Sequence, residues 1–88
     1  MKLKYDFEQV EMGDDEIIAV PVGVGAGELQ GVLKLNYAGK VIFDLLKSDA
    51  LVEDIVEQLL VRYDNDKSTI AEYVNSVIEV LMKYGLIA

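Results

Sequence analysis

"GVLKLNYAGKVIFDLLKSD", from Gly31 to Asp49, changes its periodicity in the middle. Up to Leu35 the apolar residues alternate, with Leu33 and Leu35 on one side of an extended chain and Val32 on the other. Beyond it, Val41, Ile42, Leu45 and Leu46 recur at the spacing of one helix face. Asn36 stands between the two regimes. Its short side chain accepts a hydrogen bond from an orphan N–H of a first helical turn, which makes it a preferred N-cap. The stretch therefore reads as the end of a strand, a cap, and a helix over about 37–47. Gly39 costs that helix up to about 1 kcal/mol relative to Ala, so close packing is the expected reason for it.

Upstream, the chain reads as strands over about 5–12, 16–23 and 28–35. Tyr5 and Phe7 alternate with acids, and Val10 and Met12 alternate again one residue out of phase. A period of two that slips by one predicts a kink or bulge near Glu8–Gln9. "GDDE" (Gly13 to Glu16) is a turn, and "IIAVPVG" (Ile17 to Gly23) follows as a strand. Pro21 lacks an N–H, so that strand is expected to be an edge, or bulged, at that point. "GVGAG" (Gly23 to Gly27) is a connection, and "ELQGVLKL" (Glu28 to Leu35) is the third strand. Within it, Gly31 marks either a bulge or a place where another backbone approaches.

Downstream, a second helix is expected over about 50–63, with Val52, Ile55, Val56, Leu59, Leu60 and Tyr63 in one stripe. Glu53 and Asp54 suit its positive N-terminal end. "DND" (Asp64 to Asp66) is a turn. A third helix, over about 67–84, begins near Asp66–Thr69, where Thr69-x-x-Glu72 fits a capping box. It stops at Gly85, with Leu86 placed for the apolar contact of a Schellman end. Three strands followed by three helices (βββααα) give a single α+β domain over residues 1–88.

Composition removes whole classes of function. Sixteen acids against eight Lys and Arg give a net charge of −8, and the lysines are scattered, with Arg62 alone. Phosphate recognition needs clustered cations, so neither nucleic acid nor an anionic membrane is an expected partner. No apolar run approaches the ~18 residues that span a bilayer. "MKLKYDFEQV" has no apolar stretch behind its lysines, so it is not a secretory signal. With no Cys and no His, disulfides, thiolate nucleophiles and imidazole bases are missing. Asp14 to Glu16 and Asp64 to Asp66 read as turns, because neither has the ligand spacing of a calcium loop. "GVGAG" opens no helix and no GK[ST] follows, so it is not a phosphate loop. Ser48, Ser68 and Ser76 have no base to activate them. Neither catalysis nor a cofactor is expected, and a cytoplasmic location fits.

The run from Gly31 to Asp49 has the form strand–LN–x–x–G–x–x–I–aromatic–x–LL, and "VEDIVEQLLVRYD" and a helix closing on "GLI" follow. In order and spacing this resembles the PqqD-like family, over roughly Phe7 to Ile87. The residues that carry the likeness are Leu35, Asn36, Gly39, Ile42, Phe43, Leu45 and Leu46, then Val52, Ile55, Val56, Leu59, Tyr63 and Asp64, and finally Gly85, Leu86 and Ile87. The resemblance implies a winged-helix-like fold. It also implies a non-catalytic domain that binds the leader segment of a ribosomally made precursor peptide and presents it to a modifying enzyme, such as a radical-type maturase. The leader is implied to add as a strand beside the third strand, in a cleft also walled by the last helix. The chain departs from the family pattern at Leu51, where a Thr-type cap is usual and Ser48 or Asp49 must serve, and in the glycine-rich segment Val22 to Gly27.

The last helix carries more apolar surface than a single core needs. Ile70, Val74, Ile78 and Leu81 make a core stripe, and Tyr73, Val77, Val80 and Tyr84 make a second one beside it. With Ala71 and Met82 the apolar arc spans roughly 200°, about twice what a core-facing helix requires. Either the helix is central, with neighbours on both sides, or one flank lines a groove beside the third strand. Strand addition uses such a groove: main-chain hydrogen bonds supply affinity and side-chain pockets supply specificity. On that reading the peptide-binding residues are Leu29, Gln30, Gly31, Val32, Leu33, Lys34 and Leu35 for backbone pairing, and Tyr73, Val77, Val80 and Tyr84 for pockets. Two other readings use the same fold. The flank can instead be covered by another protein or another copy, leaving a monomer or weak homodimer open. A winged helix can also bind DNA, but Glu72 and Glu79 face Lys83 on the last helix, and Glu53, Asp54 and Glu57 face Arg62 on the second.

Overall fold

The computed structural model describes residues 1–23 and 31–88. Three strands, β1 (Asp6–Gly13), β2 (Glu16–Val22) and β3 (Leu33–Leu35), are followed by three helices, α1 (Tyr37–Leu45), α2 (Val52–Arg62) and α3 (Lys67–Lys83). The sheet is antiparallel in the order β1-β2-β3. The α+β order expected from the sequence is the one observed.

The first strand is where the alternation misleads. Phe7 pairs with Pro21, Glu8 with Val20, Gln9 with Ala19 and Val10 with Ile18, so nothing slips at Glu8–Gln9. The inward series is Phe7 and then Gln9, whose Nε2 donates to Asp44 Oδ1 on α1 at 2.9 Å. Val10 and Met12 are exposed. A polar residue that finds its partner across the layer looks, in sequence, like a change of face. The register shifts instead between Glu11 and Gly13, beside a tight turn in which Asp14 and Asp15 take φ of 44° and 58°. Aspartate tolerates this left-handed region better than most residues, because its short side chain bonds locally. Pro21 lies beyond the Ile17–Ala19 stretch that pairs with β3, so among the described residues it has a strand on one side alone.

Gly31 and Val32 fall outside β3, and Gly31 takes φ +82°. A Cβ there would meet nothing within 4 Å, so this glycine supplies backbone freedom rather than room for a close neighbour. Of the described part of the strand expected over 28–35, only Leu33–Leu35 is strand. Glu28, Leu29, Gln30 and most of the glycine-rich connection lie outside the described residues.

Ala19 of β2 joins Ile42, Phe43, Leu46, Ile55, Leu59 and Val74 in the core, and all of these, with Ile17 of the same strand, are essentially inaccessible to solvent. Burying each large side chain among them stabilises the fold by about 1.5–3 kcal/mol. The buried face of α1 holds Gly39, Ile42 and Phe43, while Val41 and Leu45 are half-buried. The Phe43 ring meets Phe7 edge-on at 5.0 Å, an arrangement favoured by the ring quadrupoles.

The helix ends are set by local chemistry. Asn36 caps α1, its side chain accepting from Gly39 N at 2.8 Å. At α2 neither Ser48 nor Asp49 serves as the cap. Leu51 holds that position with no side-chain bond, and Asp49 instead accepts from the N-terminal amine at 2.7 Å. The cap of α3 is Asp66, which accepts from Thr69 N at 2.8 Å, in place of the expected Thr69 box. Its far end is the Schellman motif foreseen: Gly85 N donates to Met82 O, Leu86 N donates to Leu81 O, and Gly85 takes φ +69°.

Candidate functional site

The excess apolar flank of α3 faces a groove of about 510 Å³ between that helix and β3. Leu33, Leu35 and Gly39 line one side, and Tyr73, Val77, Val80 and Leu81 line the other. Leu81 belongs to the core and Val77 packs against it, whereas Val80 is 48% exposed. The flank is therefore graded from core to solvent, which answers why the helix is apolar over so wide an arc. β3 is the outermost strand of the sheet, so its far side has no strand neighbour among the described residues.

One oxygen organises the floor. Asn36 Oδ1 accepts from Gly39 N and also from the Tyr73 hydroxyl, at 2.9 Å, joining the cap of α1 to the wall made by α3. Gly39 is small for the same reason: a Cβ there would lie 3.2 Å from Asn36 Oδ1 and 3.6 Å from Leu35 Cδ2. Burial pushes the Tyr73 hydroxyl above its ordinary range against the opposing hydrogen bond to Asn36, and the charges of Tyr63 and Asp15 push the same way. At the end of the groove, Asp15 Oδ1 accepts from Tyr37 N at 2.7 Å, tying the β1–β2 turn to the first N–H of α1. Asp14, Asp15 and Glu16 all line that end.

Of the residues expected from sequence, the groove brings together Leu33, Lys34, Leu35, Tyr73, Val77 and Val80. Gly31 and Val32 do not line it, because the chain turns at Gly31 before β3 begins. Tyr84 also lies outside it. It is the C-cap of α3, 61% exposed, where the Schellman turn has already bent the chain away from the helix face. Sequence reasoning missed Asp14, Asp15, Glu16, Asn36, Gly39, Ser76 and Leu81 as lining residues, the last because it was read as core alone. A turn read as solvated and a cap read as local gave no sign of facing the same space.

A second hollow, of about 450 Å³, lies between α1 and the end of α2 and is lined in part by Lys40, Asp44, Arg62 and Tyr63. Burial raises the Asp44 carboxyl, but hydrogen bonds from Lys40 and Gln9 and the charges of Lys40 and Lys47 outweigh it and hold the group below its usual range. The outer faces of α2 and α3 expose Glu53, Asp54, Glu57, Glu72 and Glu79. Among the described residues no group of acids is arranged to hold a metal, and no helix is long and apolar enough to cross a membrane.

Comparison with known proteins places the fold. The family model described as Coenzyme PQQ synthesis protein D (PqqD) matches residues 22–87. The structure of TbiB1 in complex with the TbiA(beta) leader peptide superposes with a TM-score of 0.71 at 22% identity, over 98% of this chain and 93% of that one. At that identity the likeness concerns the fold. No curated protein matches the sequence.

Proposed function

We propose, from the premise that the chain belongs to the PqqD family, that it captures the leader segment of a precursor peptide as an added strand beside β3. The observation that carries this reading is the coincidence of an apolar groove with an open strand side. Backbone groups along Leu33–Leu35 pair with the incoming segment, and its alternate side chains enter the space beside Tyr73, Val77 and Val80. That a protein of this fold, TbiB1, is complexed with a leader peptide supports the same assignment. The chain does no chemistry of its own in this account, because it has neither His nor Cys and its serines have no activating base. It holds the segment for a modifying enzyme, which on the family likeness is of the radical maturase kind.

The test is fluorescence anisotropy with synthetic peptides from short reading frames encoded beside this gene. Val80→Asp removes a half-exposed contact without opening the core. Losing a buried valine-sized contact, about 1.5 kcal/mol, weakens binding about tenfold while far-UV helicity is retained. Glu79→Lys, on the polar face, leaves both properties unchanged. Full affinity in Val80→Asp would overturn the assignment of the groove.

A further inference from the structure

We infer that the acidic tip of the β1–β2 hairpin reads a cationic side chain at the N-terminal end of the bound segment, immediately before the apolar residues that fill the groove. The inference rests on the peptide-binding reading above and adds the chemistry of the peptide and its direction.

The charge along the groove is uneven. Three carboxylates, Asp14, Asp15 and Glu16, line it against the single ammonium of Lys34. The carboxylates gather at one end, because Ile17, the residue after Glu16, pairs with Leu35 at the close of β3. The tip is held there by the bond from Tyr37 N to Asp15. Among the described residues the side chains of Asp14 and Glu16 have neither an ion pair nor a hydrogen bond, and Lys34 is not within ion-pair distance of either. These carboxylates are free to meet a cation from outside.

Direction follows from the sheet. β3 runs from Leu33 to Leu35 toward the acidic tip, and both existing strand pairs are antiparallel. A segment that extends this pattern begins at the tip and runs away from it. Its side chains alternate, so those level with Leu35 and Leu33 turn inward toward Val77 and Val80, and the one between faces solvent beside Lys34. The preferred segment is therefore Lys or Arg, then an apolar residue, a residue that is not basic, and a second apolar residue. The net charge of −8 attracts any cationic peptide, but that attraction does not depend on where along the peptide the cation sits.

A randomised peptide display library selected on the intact protein, and in parallel on Asp14→Asn/Glu16→Gln, separates these effects. Asn suits the left-handed backbone at position 14, so the variant keeps its turn; circular dichroism checks that. The expected result is Lys or Arg enriched on the N-terminal side of an alternating apolar pair with the native protein. With the variant, the apolar pair persists and the cation preference vanishes. For one selected peptide, moving the cation to the other end at constant composition weakens binding about two- to fivefold, and less in high salt. An apolar pair with no cation, or with cations equally on both sides, overturns the inference and leaves peptide binding standing. No enriched segment at all removes the groove reading and the inference with it.

Discussion

Asn36 uses one side-chain oxygen for two purposes, and only one of them is written in the sequence around it. The cap was legible from the change of periodicity at that residue, since a cap is a local matter. The bond from the Tyr73 hydroxyl was not, because it spans 37 positions and depends on how α3 crosses the end of β3. Asn36→Ala removes both, and we expect a loss of about 1–2 kcal/mol in urea denaturation, most of it recovered in Asn36→Asp, which restores the acceptor. Tyr73 also makes a prediction in pH. Its hydroxyl is raised above the ordinary value of about 10, so the folded state holds the proton more tightly than the unfolded one. The stability from this group is complete below that pH and is lost as pH rises toward the folded value. Tyr73→Phe should therefore have a shallower alkaline decline in its urea midpoint than the native protein.

At the scale of elements, α3 was legible in outline and β1 was not. Both stripes of α3 stand out at helical spacing, and the buried one is the core stripe expected. What sequence could not give is the gradation across the second stripe, from Val77, packed on the core, to Val80, half in solvent. Two substitutions on this helix should behave differently in denaturation and peptide binding. Ile78→Ala, at a buried site off the groove, is expected to cost about 2–5 kcal/mol with affinity unchanged for the folded fraction. Val77→Asp should lower both stability and affinity, so a variant that loses binding alone would show that Val77 does not support the core. β1 failed to read correctly because Gln9 faces inward. Its partner, Asp44, lies on another element and leaves no mark in the local pattern.

The whole molecule is closed by its first four residues, which carry no pattern that announces the role. Leu3 N donates to Leu46 O, Lys4 N to Leu86 O, Ala50 N to Met1 O and Ala88 N to Lys2 O. The first residues thus join the α1–α2 connection to the residues after α3, and Leu3 forms an isolated bridge with Ile87. Such closure depends on three distant stretches meeting, and no window of sequence contains it. Deleting Met1–Lys4 strips four backbone hydrogen bonds from this end of the fold, and we expect a loss of roughly 2–4 kcal/mol by chemical denaturation. The groove lies along another part of the molecule, so the folded fraction of the truncated chain should still bind peptide with native affinity. A leader segment in that groove should be visible directly in solution. The most direct measurement is a heteronuclear NMR titration of the labelled protein with peptides encoded beside its gene. We expect saturable shifts confined to Leu33–Leu35, the Asp14–Glu16 tip, and Tyr73, Val77 and Val80. Shifts centred instead on Val10, Met12 and Ile18 of the outer sheet would contradict it. So would lines that ignore every peptide and sharpen on dilution, the mark of a self-association surface.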